Sequence, residues 1–452
     1  MAGQEQAQVS PADPFEWLRT RAAWLFDPAH GACIVGSQAL AIACSRAGIA
    51  GPQPADLDLS WVHDTARGTA ILQQHGVHLA TTEGSVERGT LAMKLDGRRI
   101  EITTLRAGKP EDGIEERIHA DLGARDMTIG ALAVELATGR VHDTQGGMDH
   151  WRARRIVPVG DVAQRVHEHP VRWIRYFRKA HELGFELDRA IRKLALPVDL
   201  LLEVPAEAVA AELRAGLLHC ASPGRLLLEL HEADLLETIA PELSPQFDGR
   251  PAGPQRHHPE VSQALHVVLA LEWAVARSHA FDERDRSALL LAVLCHDLGK
   301  GLTAHADFPR HLGHEGSGLR PIRELFERLP GLGDQRSRTL ALAVCELHLV
   351  VRGFASLRSG TLAELYDRHF RGKDFPLELF CLAIGADVGG RLGRELEGEA
   401  VADALRTNLT QLREAAGAVD AAALRAQYGE VDDFRRALHE ARSRAIAPLR
   451  WR

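Results

Sequence analysis

The chain has 452 residues, 45% of them apolar and 26% charged, and a formal net charge of −8 at pH 7. These values describe an ordinary soluble globular protein with length for two to four domains, and they exclude a surface coated with cations for non-specific nucleic-acid binding. No run approaches the ~18 apolar residues a membrane-spanning helix needs, and no basic, apolar leader opens the chain, so the expected setting is the cytoplasm.

Residues 1–30 read as a polar extension with one amphipathic piece starting at Phe15-Glu16-Trp17-Leu18. Residues 31–160 change character. Short β-type runs (32–35, 57–61, 90–95 and 99–104) alternate with glycine turns and helical stretches, the pattern of an α+β domain with a small mixed sheet. Within it, Ile34-Val35-Gly36-Ser37 predicts a strand, a tight turn and a helix start, where backbone N–H groups can receive phosphate oxygens. Asp56 and Asp58 stand two residues apart at the start of a β-type run, so their carboxylates share a face and can hold Mg²⁺. Glu101 lies in another run; paired beside the first, it completes three carboxylates able to seat two ions, one activating a hydroxyl and one neutralising a triphosphate. Taken alone, two such aspartates more often mark an ordinary solvated strand end.

Beyond residue 160 strand signals fade and apolar residues recur at helical spacing. Residues 161–245 read as an all-α neck, and the Pro- and Gly-rich stretch 244–258 as a linker to a helical region over 250–452. A basic stretch runs through Arg152, Arg154, Arg155, Arg165, Arg172, Arg175, Arg178 and Lys179; it fits an RNA backbone or a solvated helix face. In the last region His296 and Asp297 are adjacent at the end of an apolar helix, with His266, His311, His314, His348 and Asp387 on neighbouring elements. Such residues on successive helices suit a divalent metal that activates water against a phosphate ester, although a single buried histidine is more often structural. The six cysteines are scattered with no CxxC pair, which excludes a disulfide framework and a thiolate zinc site.

In order, Gly36-Ser37, Asp56-x-Asp58, Glu101-Ile102-Thr103-Thr104-x-Arg106, Arg125-Asp126-Met127-Thr128-Ile129, Asp143-x-x-Gly146-Gly147-x-Asp149 and Glu168-x-Pro170-x-Arg172-x-x-Arg175 resemble the head and neck of bacterial CCA-adding enzymes and poly(A) polymerases. The resemblance implies that Asp56 and Asp58 hold Mg²⁺ with Glu101 as a third catalytic carboxylate. It implies nucleotide contacts from Gly36, Ser37, Arg125, Asp126, Glu168, His169, Arg172 and Arg175, with CTP or ATP as donor and a tRNA or other RNA 3′ end as acceptor, and neither DNA nor membrane as partner. The later string Cys295-His296-Asp297-Leu298-Gly299-Lys300-Gly301, with His257-His258-Pro259-Glu260 and His311–Gly318, resembles the HD phosphohydrolase domain of CCA-adding enzymes of the enteric-bacterial type. That implies a Ni²⁺- or Mn²⁺-type site of His266, His296, Asp297 and Asp387 acting on 2′,3′-cyclic or 2′-nucleotides.

The sequence also departs from the family pattern. The first turn lacks the Arg–Asp pair, Gly130 stands where Asn is usual, His169 replaces an Asp, the stretch 205–209 lacks an arginine, and His348 is followed by Leu349. A neutral imidazole offers one acceptor nitrogen where a carboxylate offers several. The expectation is therefore retained transfer chemistry with altered nucleotide choice or a non-tRNA acceptor. An RNA-binding scaffold with only the HD region active is the further alternative.

Overall fold

The computed structural model describes residues 13–451 except 55, 81–85, 87–88, 110 and 429. Residues 1–12 of the expected extension lie outside them. The chain divides into two compact units, residues 1–180 with 184–196, and residues 181–183 with 197–452.

The first unit is built on a seven-stranded sheet of order β3-β4-β5-β2-β1-β6-β7. Its strands are β1 (Cys33–Val35), β2 (Asp58–Trp61), β3 (His78–Leu79), β4 (Thr90–Leu95), β5 (Arg98–Thr104), β6 (Ala133–Glu135) and β7 (Val141–His142). The four β-type runs of the sequence become β1, β2, β4 and β5. All pairings are antiparallel except β2 with β5. β1 is buried at every residue, as a β-branched run in a sheet centre should be. Asp96 and Gly97, both at positive φ, close the β4–β5 hairpin, matching the Asp-Gly signal for a two-residue turn. Within residues 13–30, Phe15, Leu18 and Leu25 are buried, so this part of the expected extension packs into the unit. Asp13 caps its helix Pro14–Arg21 by accepting from the Phe15 and Glu16 amides.

The second unit is helical. Helix Glu283–Cys295 is buried at every residue from Ser287 onward, and helices Gln263–Arg277, Gln335–Arg352 and Leu377–Gly389 surround it. A helix apolar on all sides is a bundle centre, which explains its continuous Leu-Leu-Leu-Ala-Val-Leu run. Gly389 lets helix Leu377–Gly389 close on Trp273: a Cβ there would lie 2.3 Å from the indole Nε1.

Two expectations need correction. The stretch 244–258 is no linker. Ser244, Gln246, Phe247, Arg250, Ala252 and His258 are buried within the second unit. Proline and glycine mark irregular backbone, which here lines a cavity instead of crossing solvent. The basic stretch is no open stripe either. Arg172 and Arg178 are buried, while Arg152, Arg155 and Arg165 pair with Asp149, Asp188 and Glu168. The six cysteines are free and buried. Among the described residues no helix is long and apolar enough to cross a membrane.

Candidate active site and metal centre

The parallel pairing of β2 with β5 sets Asp58 opposite Glu101. Directly opposed residues present their side chains on one face, so two carboxylates from distant parts of the sequence meet. Both line an open cleft of about 1410 Å³ within the first unit. The cleft floor is the end of β1, where Gly36 at φ +68 turns the chain into helix Gly36–Arg46. An L side chain rarely adopts that backbone conformation.

Asp58 receives no hydrogen bond from a described residue. Enclosure by the cleft walls, then the charges of Asp56 and Glu101, push its carboxyl up to about 6, against the pull of Arg125. Glu101 holds one cation already: Arg99 Nη2 lies 2.9 Å from its Oε1.

Opposite the carboxylates stands a wall of arginines. Arg125 donates from Nε and Nη2 to Asp121 Oδ2 at 3.3 and 3.2 Å and from Nη1 to Gly130 O at 3.2 Å, which fixes its guanidinium plane. Arg175 Nη1 lies 3.3 Å from Asp126 Oδ2. Arg172 donates from Nη1 to Arg165 O and Glu168 Oε2 and from Nη2 to Ala124 O, at 3.0–3.2 Å. Arg99 and Arg106 complete the lining.

The structure thus brings together Gly36, Asp58, Glu101, Arg125, Asp126, Arg172 and Arg175. It does not place Ser37, Asp56, Glu168 or His169 on the cleft lining. Glu168 is engaged with Arg165, Arg172 and Gln164. His169 is exposed at the C-terminus of helix Val162–Glu168, and burial of its ring atoms together with the charge of Arg172 lowers its pKa. Arg99 was missed by the sequence reading, although its i, i+2 spacing to Glu101 on one strand is the signal that reveals it.

The second unit holds a denser cluster. His266 comes from helix Gln263–Arg277, His348 from Gln335–Arg352 and Asp387 from Leu377–Gly389. His296 and Asp297 follow helix Glu283–Cys295 directly, and His314 opens a short helical turn. His296, His314 and His348 each donate Nδ1–H to the carbonyl three residues earlier, at 2.7, 2.6 and 2.9 Å. That orients each ring with its Nε2 pointing inward. His266 Nδ1 faces Glu260 Oε1 at 3.1 Å, with His258 Nδ1 on the same oxygen at 2.8 Å.

The inward nitrogens fall into two groups sharing Asp297. His266 and His296 Nε2 are 3.3 Å apart and lie 3.7 and 3.1 Å from Asp297 Oδ2. Asp387 Oδ1 lies 3.5 Å from His266 Nε2. On the other side His314 and His348 Nε2 are 3.2 Å apart, at 3.2 and 3.7 Å from Asp297 Oδ1. Burial opposes ionisation of Asp297, yet His296 and Lys300 hold it well below the usual carboxylate range; Arg391 does the same for Asp387. Burial pushes His348 down to about 4, leaving its ring neutral. The adjoining cavity of about 380 Å³ carries Lys300, Arg352 and Arg391. The structure brings His266, His296, Asp297 and Asp387 together; His314 and His348, candidates in the sequence as well, join them through Asp297.

The sequence model of the poly A polymerase head domain matches residues 43–157. The multifunctional CCA protein of Xanthomonas euvesicatoria pv. vesicatoria is 36% identical over 341 residues, covering 74% of this chain and 79% of that protein. The chain belongs to the CCA-adding nucleotidyltransferase family. The multifunctional CCA protein of Nitrosospira multiformis is 33% identical over 354 residues, 76% of each chain. The fold is similar to that of the Bacillus stearothermophilus CCA-adding enzyme in complex with CTP, with a TM-score of 0.61 and 20% identity over 95% of this chain and 93% of that one. The Thermotoga maritima CCA-adding enzyme complexed with tRNA_CCA has a TM-score of 0.57 at 14% identity, over 94% and 91%.

Membership in this family implies a divalent cation in the head. The donor set fits one: Asp58 and Glu101 offer only hard oxygens, and the mutual repulsion that raises Asp58 is what a cation relieves.

Proposed function

We propose that this chain transfers NMP from CTP and ATP to the 3′ end of tRNA. The observation that carries the reading is the register pair Asp58–Glu101 in a cleft walled by Arg125, Arg172 and Arg175. Asp58 and Glu101, with Asp56 beside them, hold Mg²⁺, which supplies charge neutralisation to the triphosphate and acidifies the attacking hydroxyl. Asp121 and the Gly130 carbonyl orient Arg125, so that its guanidinium meets phosphate oxygens without reorganising. Arg172 keeps donor capacity beyond its three protein contacts and faces the nucleotide from the neck. Residues 31–160 act as the catalytic head and 161–245 as the nucleotide- and RNA-binding neck, while 250–452 form the HD region.

A second reading, altered nucleotide choice, is favoured by the placement of Glu168 and His169. Glu168 is tied to Arg165 and Arg172, and His169 stands off the cleft lining. Supplying Mg²⁺, tRNA lacking its 3′ end and each labelled nucleoside triphosphate singly separates the two. Addition of C, C and A in order supports the first; another nucleotide, or a refusal of tRNA, supports the second.

The HD region is proposed to be a metal-dependent phosphohydrolase. Four histidines direct their Nε2 atoms around two ionised aspartates, a donor set suited to Ni²⁺, Mn²⁺ or similar ions. Such an ion supplies an activated water, and Arg352, part-exposed on the cavity lining, is placed to meet the phosphate oxygens. Hydrolysis of 2′,3′-cyclic nucleotides by the full chain, with and without added Ni²⁺, is the test.

A further inference from the structure

Away from the cleft, another group of ligand-type side chains meets at the opposite edge of the sheet. Glu115 and His119 are four residues apart on helix Ile114–Gly123, so they share a helix face. His142 projects from β7, the edge strand. His119 Nε2 lies 3.1 Å from His142 Nδ1 and 3.8 Å from Glu115 Oε1. Metal–ligand bonds of ~2.0–2.2 Å put the donors of a tetrahedral ion roughly 3.3–3.5 Å apart, so this spacing admits one ion with small side-chain adjustments.

A second observation points the same way. The His142 side chain is 1% exposed, and its Nε2 has no hydrogen-bond partner among the described residues. Glu135 Oε2 lies 3.8 Å from that nitrogen. A ligating histidine usually directs its other N–H at a carboxylate, and Glu135 is placed for that role. Arg140 Nη1 lies 2.8 Å from Glu115 Oε1, so an ion at this site competes with an exposed guanidinium for that oxygen.

We propose that Glu115, His119 and His142 bind a divalent ion of the zinc class, joining helix Ile114–Gly123 to the sheet edge. Two imidazoles and a carboxylate form a borderline set that disfavours Mg²⁺ and leaves a fourth position for water. The consequence reaches the cleft. His119 stands two residues before Asp121, which holds Arg125 through its side chain and accepts the Arg106 amide. Fixing this helix fixes the support of both arginines.

The test is Zn²⁺ and Co²⁺ titration of the full chain after chelator dialysis, comparing the parent with His119→Gln and Glu135→Gln. The His296 cluster lies in the other compact unit, so the difference between parent and variant reads this site alone. His119 is 38% exposed, so its replacement spares the core, and circular dichroism checks the fold. The expected result is loss of about one bound equivalent and of one tetrahedral Co²⁺ absorption component in His119→Gln. For Glu135→Gln the expectation is a roughly 10–100-fold weaker affinity at the same stoichiometry. Unchanged stoichiometry and spectrum in folded His119→Gln overturns the proposal; the 3.1 Å contact is then an imidazole–imidazole hydrogen bond.

Discussion

Asp58 and Glu101, 43 positions apart in the chain, face each other across the parallel β2–β5 pair, and their charges act on one another. Asp58, exposed at the start of β2, still feels desolvation by the cleft walls and two acidic neighbours, with no hydrogen bond from a described residue in compensation. The folded state therefore holds its proton more tightly than the unfolded chain does.

The sign of the resulting pH effect is fixed. Between the ordinary value of 3.8 and about 6 the folded chain binds more protons than the unfolded one, so metal-free stability falls as pH rises through that window. Chemical denaturation of metal-free protein across it should show the decline, and Asp58→Asn should flatten it. Since Mg²⁺ needs the ionised carboxylate, its affinity should climb through about pH 6 and level off above. Calorimetric titration with Mg²⁺ at several pH values measures this directly.

Arg125 tests the preorganised wall. Its fork spans Asp121 and Gly130 O, a geometry that a lysine ammonium cannot reproduce. Arg125→Lys should weaken transition-state stabilisation by roughly 10²–10³-fold in kcat/KM. Steady-state incorporation kinetics with a labelled nucleoside triphosphate give the number.

Strands β1, β2, β4 and β5, the Gly36 turn and the two carboxylate positions were legible in the sequence, because β alternation and glycine act over a few residues; the two- and three-residue strands β3, β6 and β7 are too short to show a pattern. The fate of Arg172 and Arg178 was not. Their spacing on a helix reads identically whether the face meets solvent or carbonyl groups such as Ala124 O, a contact made over 48 positions. His314 and His348 stand out as candidate ligands in the sequence, but that both meet Asp297 Oδ1 is set by the packing of separate helices.

Glu260 stands behind the histidine–aspartate cluster of the second unit, against His258 and His266. One of its oxygens faces both His258 and His266, and those contacts hold its pKa below the usual range although burial opposes it. Glu260→Gln should lower metal affinity about 10–100-fold while keeping stoichiometry. Competition with a chromophoric chelator reads the change.

Asp297 joins the two halves of that cluster and neutralises Lys300, whose Nζ lies 2.6 Å from Oδ2. Asp297→Ala should abolish Ni²⁺- or Mn²⁺-stimulated hydrolysis. It should also destabilise the second unit by about 3–5 kcal/mol, since it leaves a buried ammonium unpaired. Asp297→Asn separates the two effects: hydrolysis is lost with a smaller cost in the denaturation midpoint. Nucleotidyl transfer should persist in the Asn variant.

The most direct test of the account is Mg²⁺-dependent pyrophosphate release with tRNA lacking its 3′ end, measured for the parent, Asp58→Asn and Glu101→Gln under one set of conditions. The account predicts release from the parent and a loss of at least ~10²-fold in each variant, with folding intact by circular dichroism. Release from folded Asp58→Asn at the parental rate would show that the paired carboxylates of β2 and β5 do not carry the reaction.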